Sequence, residues 1–154
     1  DRNLLMANWM RIKYFLVQEK NATLYSSYLP PLFSDLIKSG QMASADSIYI
    51  FAEGYVEILQ ETESWQSLEQ FLAQNPVLLN SAPYFDVYAG LLARKEDWNA
   101  LGNELLSAYN KKVIDSEHLS QYLTKWEDNL CHQPHWTELK QKAETQSQLP
   151  SPQY

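Results

Sequence analysis

Two groups of side chains in this 154-residue sequence have types and spacings that could do chemistry. Glu53, Glu57 and Glu61 recur every four residues, so on a helix they share one face. Paired carboxylates can exchange protons or hold two metal ions, but a di-metal bundle also needs Glu-x-x-His motifs on facing helices. None occurs in the sequence. The remaining readings are a solvated stripe or a docking surface. Like charges one turn apart cost a few tenths of a kcal/mol each unless a basic group compensates them. The second group is Asp128, Cys131, His132 and His135, all permissible zinc ligands by type. Cys131 and His132 are adjacent, and the remaining histidine, His118, lies well upstream, so the spacing describes a helix end with incidental histidines. Cys131 as a nucleophile would need a base, an orienting group and nearby positive charge. Gly-rich phosphate loops, a nucleophile elbow and a calcium loop are all missing from the sequence. The expectation is a non-catalytic chain with no cofactor and no metal.

The elements that position these residues follow from composition and periodicity. Apolar residues make up 45% and aromatics 13%, enough for a packed core. Four glycines and seven prolines are too few for a turn-dense β-sandwich or barrel. No stretch alternates as a half-buried strand must, so the chain is expected to be all-α. Helices are expected from about Asn3 to Lys20, then a short one around Leu24–Leu29 stopped by Pro30 and Pro31, and another from Pro31 through Lys38. Further helices are expected over Ser44–Thr62, from an Ser64 cap to Asn75, from Ser81, from an Asp97 cap to about Asn110, from Asp115, and from Pro134. In the first helix Leu5, Trp9, Ile12 and Leu16 form an apolar stripe, a core-facing face or a docking and oligomerisation surface. That helix is too short and too charged to span a bilayer.

A repeat is the most informative feature. Trp65-x-x-Leu68, Trp98-x-x-Leu101 and Trp136-x-x-Leu139 each follow a short polar turn and continue four residues later with Leu72, Leu105 or Ala143. Before each turn lies a segment with aromatic anchors: Tyr49 and Tyr55, Tyr84 and Tyr88, Tyr122 and Trp126. A helix, a tight turn and a second helix opening on Trp, recurring at this period, is what a helical-hairpin solenoid requires. Each Trp is expected to wedge between the two helices of its hairpin. Over residues 44–146 the pattern resembles the tetratricopeptide-like superfamily. The nearest stretch is Tyr84 to Tyr109, with Gly90 before the turn, Trp98 after it, and Leu105, Ala108 and Tyr109 in the second helix. The sequence departs from that superfamily at the turn, where its glycine is absent, and at Leu68 and Leu101, where a small residue is usual. The resemblance implies a protein-binding scaffold and transfers no binding residue.

Charge narrows the partner. The chain carries −7 overall. Residues 1–40 hold five basic and three acidic residues, residues 41–109 two and ten, and residues 110–154 five and six, so the acidity sits in the middle segment. Nucleic acid is disfavoured. The expected architecture is one all-α domain over residues 1–146: an N-terminal helical cap (1–43), three stacked hairpins (44–146) and a polar tail (147–154). Its expected function is a scaffold or adaptor that holds a basic or amphipathic protein segment through Glu53, Glu57, Glu61, Glu69 and Asp86. The rivals are an obligate oligomer formed through Leu5, Trp9 and Ile12, and a sensor domain binding a small ligand among its tyrosines. The chain opens at Asp1 without an initiator Met, as a processed product or a part of a longer protein does. Its one cysteine suggests a reducing, cytoplasmic setting.

Overall fold

A computed structural model describes residues 2–145, and over these the chain is all-α. The helices are α1 (Arg2–Gln18), α2 (Ala22–Lys38), α3 (Ser47–Glu61), α4 (Trp65–Gln74), α5 (Ala82–Arg94), α6 (Trp98–Asn110), α7 (Ser116–Lys125), α8 (Glu127–Leu130) and α9 (Trp136–Glu144). Short 3₁₀ turns at Ser44–Asp46 and Pro76–Asn80 precede α3 and α5. The polar tail expected over 147–154 lies outside the described residues. The helices group into two compact units, the first ending at Phe71 and the second beginning at Leu72.

One turn chemistry recurs. Helices α1, α2, α3, α5 and α6 each end with a left-handed residue: Lys20, Gly40, Glu63, Glu96 and Lys112, at φ between 54° and 79°. In each case the next residue's N–H returns to a carbonyl of the last turn. Asn21 N donates to Leu16 O, Gln41 to Leu36, Ser64 to Leu59, Asp97 to Leu92 and Val113 to Ala108, at 2.8–3.4 Å. The accepting residues Leu16, Leu36, Leu59, Leu92 and Ala108 are all buried. These carbonyls lack an intrahelical donor, and the Schellman pattern supplies one. In two of these turns the same residue then caps the following helix. Asn21 Oδ1 accepts from Leu24 N at 3.0 Å, and Asp97 Oδ1 from Ala100 N at 3.2 Å. Reversal and restart are thus completed in three residues.

Three tryptophans open helices α4, α6 and α9 at their first residue. Each is only half-buried, whereas Leu68, Leu101 and Leu139, three residues on, are fully buried. Trp98 and Trp136 pack on the edge of the second unit's core, whose centre is Phe85, Leu101, Leu105, Leu119, Leu130 and Leu139. The deeper anchor of each opening is therefore the leucine, one turn into the helix.

Pro30 and Pro31 do not end a helix: α2 runs through them to Lys38. Tyr25, Leu29, Phe33 and Leu36 are buried at four-, four- and three-residue spacing and hold the helix against its neighbours. Both prolines, and Ser26 and Ser27 whose carbonyls lose their donors, are exposed, so water can serve those carbonyls. Packing on one face outweighs the loss of two hydrogen bonds on the other. The segment expected to be one helix from Asp115 also differs, since α7 stops at Lys125 and the short α8 follows Trp126. The last helix opens at Trp136, two residues after the proline expected to begin it.

The first unit closes on Tyr25. Its ring is fully buried and its hydroxyl donates to the Phe51 carbonyl at 2.7 Å. A Cβ built on Gly54 would meet the Tyr25 hydroxyl at 2.6 Å and ring carbons at 2.8 and 2.9 Å. The ring therefore rests on bare helix backbone. Around it Phe51, Tyr55 and Phe71 form an aromatic cluster with centroids 4.8–6.0 Å apart.

Two measurements test these constraints. Glu96→Gly removes the Cβ from a left-handed position that costs an L-residue about 1–2 kcal/mol, so the urea midpoint should rise by the equivalent of about 0.5–1 kcal/mol; a fall would show that Glu96 contributes more than its backbone strain costs. Gly54→Ala and Gly90→Ala should move stability in opposite directions. The first overpacks Tyr25 and should lose about 1–3 kcal/mol. The second meets nothing within 4 Å and should gain up to about 1 kcal/mol of helix propensity. Thermal unfolding of both variants reads the difference.

Candidate functional site

Helix α3 carries the carboxylate stripe, and lysines of its neighbour α1 and of the turn after α1 answer two of the three charges. The Lys13 ammonium lies 3.5 Å from Glu53, and Lys20 lies 3.6 Å from Glu61. Glu57, between them, is exposed and has no ion pair among the described residues. The repulsion anticipated for this stripe is thus offset at both ends and left at its middle. Lys13 is the more buried partner, with its side chain 15% exposed against 75% for Glu53. Its ammonium also sits 5.7 Å from the Trp9 ring centroid.

Glu53, Glu57, Lys13 and Trp9 share a groove of about 300 Å³ between α1 and α3. Trp9, Met10, Tyr14 and Val17 form its apolar side, Glu53 and Glu57 its acidic side, with Lys13 and the backbone of Gly54 between. Met10 is 56% and Tyr14 69% exposed, so the apolar side faces solvent. Gly54 is where it is because of Tyr25. Its backbone seats the Tyr25 ring and also contributes to the lining of the groove. The Trp9 indole N–H is buried and has no acceptor among the described residues.

The remaining expected residues are placed differently. Glu69 lies half-buried on α4. Asp86, on α5 in the second unit, accepts from His118 Nε2 at 2.9 Å when that ring nitrogen carries the proton, and so has a partner of its own. Glu53 and Glu57 are therefore the members of the set that share a groove. Leu5, Trp9 and Ile12 are half-buried and pack on the core formed by Leu16, Tyr25, Leu29, Phe33, Leu36 and Ile58, with Trp9 edge-on to Phe33 at 5.5 Å. The exposed apolar side chains of α1 are instead Leu4, Met6, Met10, Tyr14 and Phe15. The signal that could have found them is the absence of a polar face. Apolar residues surround α1 on all sides, where a helix with a single stripe would show one.

In the second unit Cys131 Sγ lies 3.7 Å from the Asp128 carbonyl oxygen, His132 is exposed, and the His135 ring stands against Gly102. Among the described residues no three His, Cys, Asp or Glu side chains converge as metal ligands. Along α7, His118, Tyr122 and Trp126 stack at 5.0 and 5.4 Å, and Lys125 caps the ladder over the Trp126 ring. Among the described residues no helix is long and apolar enough to cross a membrane. No protein family, curated protein or solved structure matches the chain.

Exposed ion pairs are worth about 0–1 kcal/mol. A double-mutant cycle with Lys13→Met and Glu53→Gln should return a coupling under about 1 kcal/mol in thermal unfolding. Glu57→Gln alone should leave stability within about 0.5 kcal/mol of the parent, because nothing in the fold depends on that charge. A loss above 1 kcal/mol would show that Glu57 serves the fold.

Proposed function

We propose that this chain is a non-catalytic interaction domain, a scaffold or adaptor of tetratricopeptide-like helical hairpins that holds a basic or amphipathic segment of another protein. The observation that carries the reading is the α1–α3 groove, where an exposed apolar side faces a carboxylate that the fold leaves without an ion pair. An apolar surface open to water is costly to maintain and is ordinarily covered in the working assembly. The recurring helix, three-residue turn and helix supports a hairpin-repeat reading, since the same turn closes α1, α3 and α5. An acidic middle segment would steer a cationic partner toward the chain and raise its association rate.

The test is capture of partners from the native source at low and high salt, with the full chain as bait. The reading expects a stoichiometric partner that is lost at about 1 M salt, where the Debye length falls to about 3 Å. It also expects loss of that partner with a variant carrying Glu53→Gln, Glu57→Gln and Glu61→Gln, which removes charge without placing lysines against Lys13 and Lys20. A partner retained by that variant at all salt concentrations, or recovery of the chain itself as the one captured protein, would overturn the acidic-face reading.

A further inference from the structure

Resting on that reading, we infer that the α1–α3 groove is the docking site for a basic amphipathic helix, and that Lys13 occupies in the free protein the cation position a partner would share. Three features set this chemistry. The apolar side of the groove is built from Trp9, Met10, Tyr14 and Val17, with flexible Met10 and broad Tyr14 exposed, a surface that adapts to aliphatic or aromatic anchors. The opposite side presents Glu53 and Glu57 one helical turn apart, about 5–6 Å along the α3 axis. A partner helix carrying Lys or Arg at i and i+4 has the same repeat, so its cations meet these carboxylates in register while the residues between face the apolar side.

Lys13 shows the cation position in use. Its ammonium is held between the Glu53 carboxylate at 3.5 Å and the Trp9 ring at 5.7 Å, with the side chain largely withdrawn from water. One turn further along α3, Glu57 offers a second carboxylate with no cation on it. A partner's lysine therefore lands on Glu57 without displacing anything, and a second one competes with Lys13 for Glu53. The charge here has the right sign for such a partner. The neighbouring groove between α2 and α3 is lined by Phe33, Ile37, Ile48 and Phe51, and its one charged side chain is Lys38. A cationic helix is repelled there.

The methionines give a direct readout. The chain has three, and Met10 lines the groove while Met42 packs on the core of the same unit. With the full chain labelled at methionine methyls, we would titrate a 14-residue helix of leucine and lysine with lysines on one face, and a matched leucine–glutamate helix. The inference expects the Met10 methyl to shift with the lysine peptide, Met42 to stay, and the glutamate peptide to leave both unmoved. Glu57→Lys should weaken the lysine peptide at least tenfold while circular dichroism stays unchanged. Lys13→Gln should tighten it about threefold by releasing Glu53.

Lysine-peptide binding that depends on the α3 carboxylates but leaves Met10 unmoved would overturn the groove and leave the acidic-face reading standing. Absence of binding by either peptide would overturn both. Weaker binding by Lys13→Gln would overturn the role given to Lys13. A Met10 shift that grows with protein concentration in the absence of peptide would replace the partner helix with a second copy of the chain. A shift with vesicles of anionic phospholipid and none with peptide would replace it with a lipid surface.

Discussion

The carbonyl of a buried last-turn residue sets the terms for most of this structure. Leu16, Leu36, Leu59, Leu92 and Ala108 lie in or against a core, each at a point where the helix can no longer supply a donor. A buried carbonyl left unpaired costs on the order of 1–3 kcal/mol, a large part of a domain's net stability. The left-handed residue that follows turns the next N–H back to that oxygen and so removes the penalty. It also reverses the chain. Four of the five left-handed residues carry a side chain and accept the strain that glycine would avoid. The need to satisfy a helix-terminal oxygen and the need to return the chain over its own apolar face are met by one conformational event.

That economy explains which parts of the molecule could be read from the sequence. The helix openings were legible because they depend on local chemistry. Asp97 and Asp115 accept from the N–H three residues on, and Trp65, Trp98 and Trp136 stand at first helical positions. The left-handed positions were not, since Lys20, Glu63, Glu96 and Lys112 carry none of the propensity that marks glycine or asparagine. Pro30 and Pro31 illustrate the opposite failure. Their local preference is to stop a helix, and it is overridden by Tyr25, Leu29, Phe33 and Leu36, whose burial depends on chain that comes before and after.

The groove was half legible. The four-residue recurrence of Glu53, Glu57 and Glu61 placed them on one face, but not what stood opposite. Lys13, on α1, and Lys20, in the turn that follows it, are separated from them by the whole of α2, and pairing across that distance is a property of packing. The apolar side was hidden for a related reason. The stripe Leu5, Trp9, Ile12 and Leu16 drew attention as the amphipathic face, and it is the face that packs inward. The exposed residues flank it, and their significance appears only once the inward direction is known.

The seating of Tyr25 on Gly54 joins these two themes, because the residue whose bare backbone closes the core also lines the groove. It also constrains how such a chain can drift. A side chain introduced at position 54 would collide with the ring at 25, while a smaller residue at 25 would open a void and strand the Phe51 carbonyl contact. Neither position changes alone without a cost in stability. A glycine inside one helix is thus matched to a tyrosine inside another, and a change that relieves one side of the contact must be answered on the other.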